Sequence, residues 1–254
     1  MIAPLDQLCL FFLVCCRCGG VVAGFPIGNE NNGIPMSVKA LFTCCLSYLV
    51  FQFLPITFVA SSYHAFNLCL LATREILIGL SIGFIVKISF AMIELAGHLI
   101  ANEIGLNTGE SFNPITESSS SFISILLVQL ACVYFFISGL DKEILYCFIK
   151  SYTVLDIKLA LSIKNFPLLI DYIQNIFLIS FKIAAPLVLL NFLVNFCFAI
   201  LGKAAPKINV FFLSFPLRIF SGFCLFSLIL YLIAGHINDN FLALPEQIFR
   251  FLRA

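Results

Sequence analysis

The sequence predicts an all-α integral membrane protein of about six long apolar helices. Three observations lead there. Hydrophobic residues make up 61% of the chain and charged residues only 11%, outside the usual balance of water-soluble folds. The apolar residues fall in long blocks, and residues 40–60, 122–140 and 183–202 contain no Asp, Glu, Lys or Arg. Finally, these blocks are apolar on every face and rich in Leu, Ile and Phe, whereas a membrane β-barrel would alternate in runs of about ten residues. Blocks of this length can cross a bilayer as helices.

Six segments follow in order: 8–25, 40–60, 66–93, 122–140, 174–202 and 208–235. The leader of the first carries Asp6 and no basic residue, which argues against a cleaved secretory signal and for a retained helix. A turn-rich stretch with Gly28, Asn29, Asn31, Asn32 and Gly33 separates it from the second. After the third comes an irregular stretch, Asn102 to Ser121, with Gly105, Gly109, Pro114 and a run of serines, which cannot lie against lipid. Its glutamates, Glu103, Glu110 and Glu117, recur every seven residues, but the intervening Gly and Pro break any helix that would align them.

Residues 141–173 interleave Lys142, Lys150, Lys158 and Lys164 with acidic and apolar residues, and read as an amphipathic interfacial segment. If all six segments cross, the side bearing this stretch and the C-terminal tail also holds Arg250 and Arg253, against Lys39, Lys203 and Lys207 opposite. That excess predicts a cytoplasmic tail. Without a repeat or a linker, the chain reads as a single membrane-embedded domain over 1–254.

Enzymatic chemistry is not expected. The chain has no GxxxxGK phosphate loop, no HExxH zinc helix and no GxSxG nucleophile turn. His64, His98 and His236 are far apart and flank apolar segments. The cluster Cys15, Cys16 and Cys18 lacks a second cluster at zinc-ligand spacing, so the eleven cysteines read as small apolar side chains. No catalytic residue, cofactor or metal is therefore assigned. With a net charge of +1 and scattered basic residues, no nucleic-acid partner is implied either.

The charges inside the apolar segments, Arg17, Arg74, Glu75, Lys87, Lys182 and Arg218, carry more information. Each costs about 2.5–3.5 kcal/mol at a helix centre unless it pairs, snorkels or meets water. Glu75, Gly79, Gly83 and Lys87 follow at four-residue steps and share one helix face. At 1.5 Å per residue Glu75 and Lys87 lie about 18 Å apart, so their partners must come from elsewhere. Gly79 and Gly83 form a GxxxG pattern that permits close backbone approach; the alternative is an ordinary membrane helix with its end charges at the headgroups. Lys182, Asn191 and Asn195 make a second polar stripe, read as a packing surface.

Two stretches go beyond composition. Residues 202–217, GKAAPKINVFFLSFPL, resemble the signature of the FliR/SctT family of type III export-apparatus proteins, in which an Ala-Pro-Gln-x-Asn-like turn opens a Phe-rich helix broken by Pro. Ala205, Pro206, Asn209, Phe211, Phe212, Pro216 and Leu217 match, and Lys207 stands where the family usually has Gln. Residues 101–114, ANEIGLNTGESFNP, resemble the family's loop after the third apolar segment, with Glu110 at a place more often apolar or small.

The resemblance implies a structural, channel-forming subunit of the type III export gate, multi-pass in the bacterial inner membrane at the base of a flagellum or injectisome. Its helices would form bent hairpins in a helical hetero-oligomer with FliP/SctR-like and FliQ/SctS-like subunits, together with an FlhB/SctU-like subunit, and would pass unfolded export substrates. Asn102, Gly105, Leu106, Gly109, Ser111, Phe112, Asn113 and Pro114 would belong to a pore-closing loop. Glu75, Gly79, Gly83, Lys87, Lys182, Asn191, Asn195 and Arg218 would serve helix packing and buried pairing. The competing reading is a small-solute or proton-coupled transporter using helices interrupted at Pro186 and Pro216.

Overall fold

A computed structural model describes residues 4–25, 35–53, 65–106, 121–155, 166–205 and 209–253. Among them seven helices follow one another: α1 (Pro4–Gly24), α2 (Met36–Phe53), α3 (Ala65–Ile104), α4 (Phe122–Ile137), α5 (Leu140–Val154), α6 (Phe166–Ala204) and α7 (Val210–Arg253). Five are long and apolar enough to cross a membrane alone, and α4 with α5 supplies a sixth span if that broken pair is counted as one. The predicted helical membrane fold is the observed one.

Local chemistry sets the helix ends. The Ser121 hydroxyl accepts from the Ser124 amide at 3.2 Å, capping α4. Gly139, at φ +71°, separates α4 from α5 in a left-handed conformation that glycine adopts without a Cβ penalty. Asp141 and Glu143 stand in the first turn of α5, where the helix dipole favours negative charge. Asn209 Oδ1 accepts from the Phe212 amide at 3.5 Å as α7 begins.

The chain divides into two compact units whose sequences interleave. In the first (Met1–Ile88, Asp141–Ile170 and Ala243–Ala254), α1 and α2 pair through Phe11 with Phe51 and Gly19 with Thr43. Residue numbers rise on one helix as they fall on the other, so the pair is antiparallel. Leu13, Val14, Ile82, Val86, Phe148 and Ile248 are buried there. In the second (Ser89–Leu140 and Asp171–Leu242), the C-terminal part of α3 is central. Its Gly97 abuts Ser124 of α4, its Phe90 meets Phe135 of α4 and Phe241 of α7, and Ser180 of α6 donates to its Met92 carbonyl at 3.0 Å.

Three sequence expectations need correction. The third apolar helix does not end near 93 but continues to Ile104, so Asn102 and Glu103 are helical. Residues 141–173 are not one interfacial segment: 140–154 form α5, which buries Ile144, Cys147, Phe148 and Tyr152, and 166–173 open α6. Spacings of three and four put those four side chains on one face, and that face packs against protein. Pro186 and Pro216 interrupt nothing, because α6 and α7 run through them. Pro216 lies in the second turn of α7, where its missing amide forfeits one hydrogen bond without ending the helix. The transporter reading loses its broken helices, and the Phe-rich signature helix is continuous.

Candidate functional site

In the first unit, α3 meets α1 through two GxxxG patterns. Gly20 and Gly24 of α1 face Gly79 and Gly83 of α3, numbers rising together, so these helices run parallel. A Cβ on Gly20 would lie 2.5 Å from the Ile76 carbonyl oxygen, and one on Gly83 2.6 Å from that of Val21. A Cβ on Gly79 would overlap the Arg17 carbonyl. No side chain fits between backbones this close.

One turn before this crossing lies a fully buried ion pair. Arg17 Nε donates to Glu75 Oε2 at 2.5 Å, and both side chains have 0% exposure. The guanidinium also donates from Nη1 to Ser151 Oγ at 3.0 Å and from Nη2 to the Leu155 carbonyl at 3.5 Å, and stands 4.0 Å from the centre of the Tyr152 ring. Arg74 approaches the second oxygen of Glu75 at 3.9 Å. Arg17 thus ties α1 to α3 and α5, and its neighbours replace the water that a charge in an apolar segment lacks.

Of the sources open to Glu75, another helix of the same chain supplies the partner. The missing partner was legible in part. Arg17, Gly20 and Gly24 sit three and four residues apart on α1, mirroring Glu75, Gly79 and Gly83 with the opposite charge. Lys87 and Lys182 differ: both are exposed and neither forms an ion pair among the described residues.

In the second unit, a polar chain crosses the end of α3. Arg218 Nη2 on α7 donates to Asn195 Oδ1 at 2.5 Å, Asn195 Nδ2 to Asn191 Oδ1 at 3.2 Å, and Asn191 Nδ2 to Glu103 Oε2. Asn191, Asn195 and Arg218 therefore also find partners within the chain, and Glu103 is the residue that sequence reasoning missed. Two residues on, Gly105 takes φ +88° and its amide bonds back to the Ala101 and Asn102 carbonyls, both at 3.1 Å, ending the helix. A Cβ on Gly105 would sit 3.6 Å from both Arg218 and Phe215, and one on Gly222 would press on Ile104 at 2.7 Å. The last turn of α3 is thus seated on α7.

Of the expected pore-loop residues, Asn102, Gly105 and Leu106 are described, whereas Gly109, Ser111, Phe112, Asn113 and Pro114 lie outside the described residues, as does Pro206. Ala205 is half-buried after α6, while Phe212, Pro216 and Leu217 are exposed on α7, which also carries Phe211. Among the described residues no three His, Cys, Asp or Glu side chains gather as a metal site, and all eleven cysteines are free thiols. The geometry offers packing, pairing and anchoring.

Residues 8–244 match the family described as "Bacterial export proteins, family 1". The chain is 30% identical over 199 residues, 78% of its length and 76% of the relative's, to the flagellar biosynthetic protein FliR of Buchnera aphidicola subsp. Acyrthosiphon pisum. It is 34% identical over 157 residues, 61% of this chain and 60% of the other, to the Yop proteins translocation protein T of Yersinia pestis. A third relative, the secretion system apparatus protein SsaT of Salmonella typhimurium, is 32% identical over 152 residues, 58% of each chain.

Proposed function

The chain belongs to the bacterial export proteins, family 1, the FliR/SctT family of type III export components, and from that membership we propose that it is a channel-forming subunit of the export gate. As a multi-pass membrane component of an export apparatus it acts by structure and is not an enzyme. Its neighbours in this reading are FliP/SctR-like, FliQ/SctS-like and FlhB/SctU-like subunits in the bacterial inner membrane, at the base of a flagellum or injectisome. Unfolded export substrates pass through the channel they form.

One observation carries the assembly. Helix α6 contains, within Pro167–Ala204, an 18-residue window with a mean hydropathy of 2.2, and only 22% of that window is buried within the chain. Exposed apolar side chains run along the helix from Ile170 to Leu201, about 46 Å at 1.5 Å per residue, against the ~30 Å hydrocarbon core of a bilayer. Lipid alone cannot cover it. Exposed Phe177, Phe181, Phe192 and Phe196 along it are the apolar contacts that sister helices would bury. We read the chain accordingly as one membrane-embedded element of a helical hetero-oligomer, with its helices as hairpins packed against partners.

Pore closure is assigned to residues 102–121. Small and polar side chains without a basic residue suit a narrow wet passage, where backbone groups find water or protein. Deleting part of Gly105 to Ser121 should raise leakage of small molecules through the assembled channel. Unchanged leakage with assembly intact would refute the sealing role.

A further inference from the structure

In the second unit, one helix surface differs in kind from the others. Helices α4, α6 and α7 all turn large apolar side chains outward, among them Val133, Phe192 and Leu228. From Ser89 to Ile104, α3 turns out none: its exposed residues are Ala91, Glu94 and Asn102, with His98 partly exposed between them. Steps of three, four and four residues put these four on one face, within an arc of about 80° and over about 16.5 Å of helix. Leu95 and Leu99 lie half-buried at its edge. Packing leaves this face open, because α4 covers one flank, where Gly97 abuts Ser124, and α6 the other, where Ser180 donates to the Met92 carbonyl and Asn191 to Glu103.

A face of this composition does not suit lipid. The Glu94 side chain is 50% exposed, and that of His98, 4.0 Å from it, 29%. A carboxylate turned toward hydrocarbon is among the costliest placements in a membrane helix, and such residues face a bundle interior or water. Nor does it suit the apolar sister helices assigned to α6, which would strip Glu94 and Asn102 of their water without replacing its hydrogen bonds.

We infer that the stripe Ala91, Glu94, His98 and Asn102 is a wall of the water-filled passage, the surface of this chain along which an unfolded exported polypeptide moves. The inference rests on the channel-forming reading and adds which surface faces the passage. The stripe offers a sliding chain what water offers: Glu94 accepts hydrogen bonds, Asn102 donates and accepts, His98 can do either, and Ala91 leaves room for a passing side chain. Glu94 also gives the wall a sign, since a carboxylate beside a narrow passage draws cations and repels anions.

The test uses the assembled export complex in membranes during export, with Ala91→Cys, His98→Cys or Asn102→Cys introduced singly and Val188→Cys, on the apolar face of α6, as the covered reference. A membrane-impermeant cationic thiosulfonate is applied, and modification is read by mass spectrometry of the peptide carrying the new cysteine, which keeps the native thiols out of the count. The three stripe cysteines should be modified and Val188→Cys should not. A bulky maleimide attached at the stripe should then stop export. The parent chain, whose exposed Cys44, Cys45, Cys69, Cys197 and Cys224 lie off the stripe, should keep exporting after the same treatment. At His98→Cys the cationic reagent should react faster than an anionic one, and adding Glu94→Gln should lower that ratio about threefold, the effect of one screened charge about 6 Å away.

Stripe cysteines that stay unmodified in a complex containing its partner subunits would show the face buried against protein; the inference would fall and the channel-forming reading stand. Modification without loss of export would put the stripe on an outer wet surface and equally overturn it. An unchanged ratio with Glu94→Gln would remove the carboxylate from the wall. A chain that joins no partner subunits would take down the channel-forming reading, and this inference with it.

Discussion

Replacing Arg17 by Met, which keeps the side-chain volume but removes the charge, is expected to cost more stability than any surface substitution. The structure sets the size. Arg17 and Glu75 are both at 0% exposure with their ion pair at 2.5 Å, so the substitution strands a carboxylate whose nearest remaining cation, Arg74, is 3.9 Å away. Removing one member of such a pair costs about 3–5 kcal/mol, a large share of the roughly 5–15 kcal/mol that holds a typical fold. Ser151 is not stranded, since its hydroxyl also donates to the Phe148 carbonyl at 2.6 Å, so the penalty falls mainly on Glu75. Thermal unfolding of the detergent-purified complex should show a drop on the order of 10 °C. Arg17→Met with Glu75→Met should recover at least half of it, because two apolar side chains leave no buried charge of this pair behind. A loss under about 1 kcal/mol, the range of an exposed pair, or a double variant no better than the single, would refute the keystone role.

Two further perturbations address other levels. Gly79→Val puts a side chain where the Arg17 carbonyl lies, and should force α1 from α3 at a cost of about 1–3 kcal/mol; an unchanged unfolding midpoint would show that the helices slide apart freely. Lys87→Leu should leave the midpoint of the isolated chain unchanged, since Lys87 is exposed, and should weaken complex formation in detergent pull-down. Normal assembly would exclude a partner for that charge.

The helical membrane fold was legible because apolar blocks without charges leave few alternatives, and the Glu75–Gly79–Gly83 face was legible because a four-residue step is a direct statement about a helix surface. What opposes a face is not written in its own spacing. Arg17 had to be matched to Glu75 across 58 residues, by noticing that α1 repeats the charge-and-glycine pattern with opposite sign. Helix α5 was misread for a related reason. Its lysines and acids describe the outer face, while Ile144, Cys147, Phe148 and Tyr152 meet protein, and an amphipathic pattern cannot distinguish a protein core from a lipid surface.

Glu103 was hidden by composition. Gly105, Gly109 and Pro114 make the whole stretch look irregular, yet α3 keeps its hydrogen bonds to Ile104 and ends only where Gly105 can turn. Assigning Glu103 to the loop removed it from the list of helix-packing residues. Its true position, in the last turn of α3 and opposite Asn191, depends on how α3 and α6 align, which no local pattern encodes.

The central claim is that this chain is built to be covered by other subunits, and its stoichiometric state in mild detergent tests that most directly. Co-expressed with its neighbouring membrane genes and measured by native mass spectrometry, it should appear as one copy bound to several copies of two smaller helical proteins. A stable monomer or homodimer with no such partners would contradict the account.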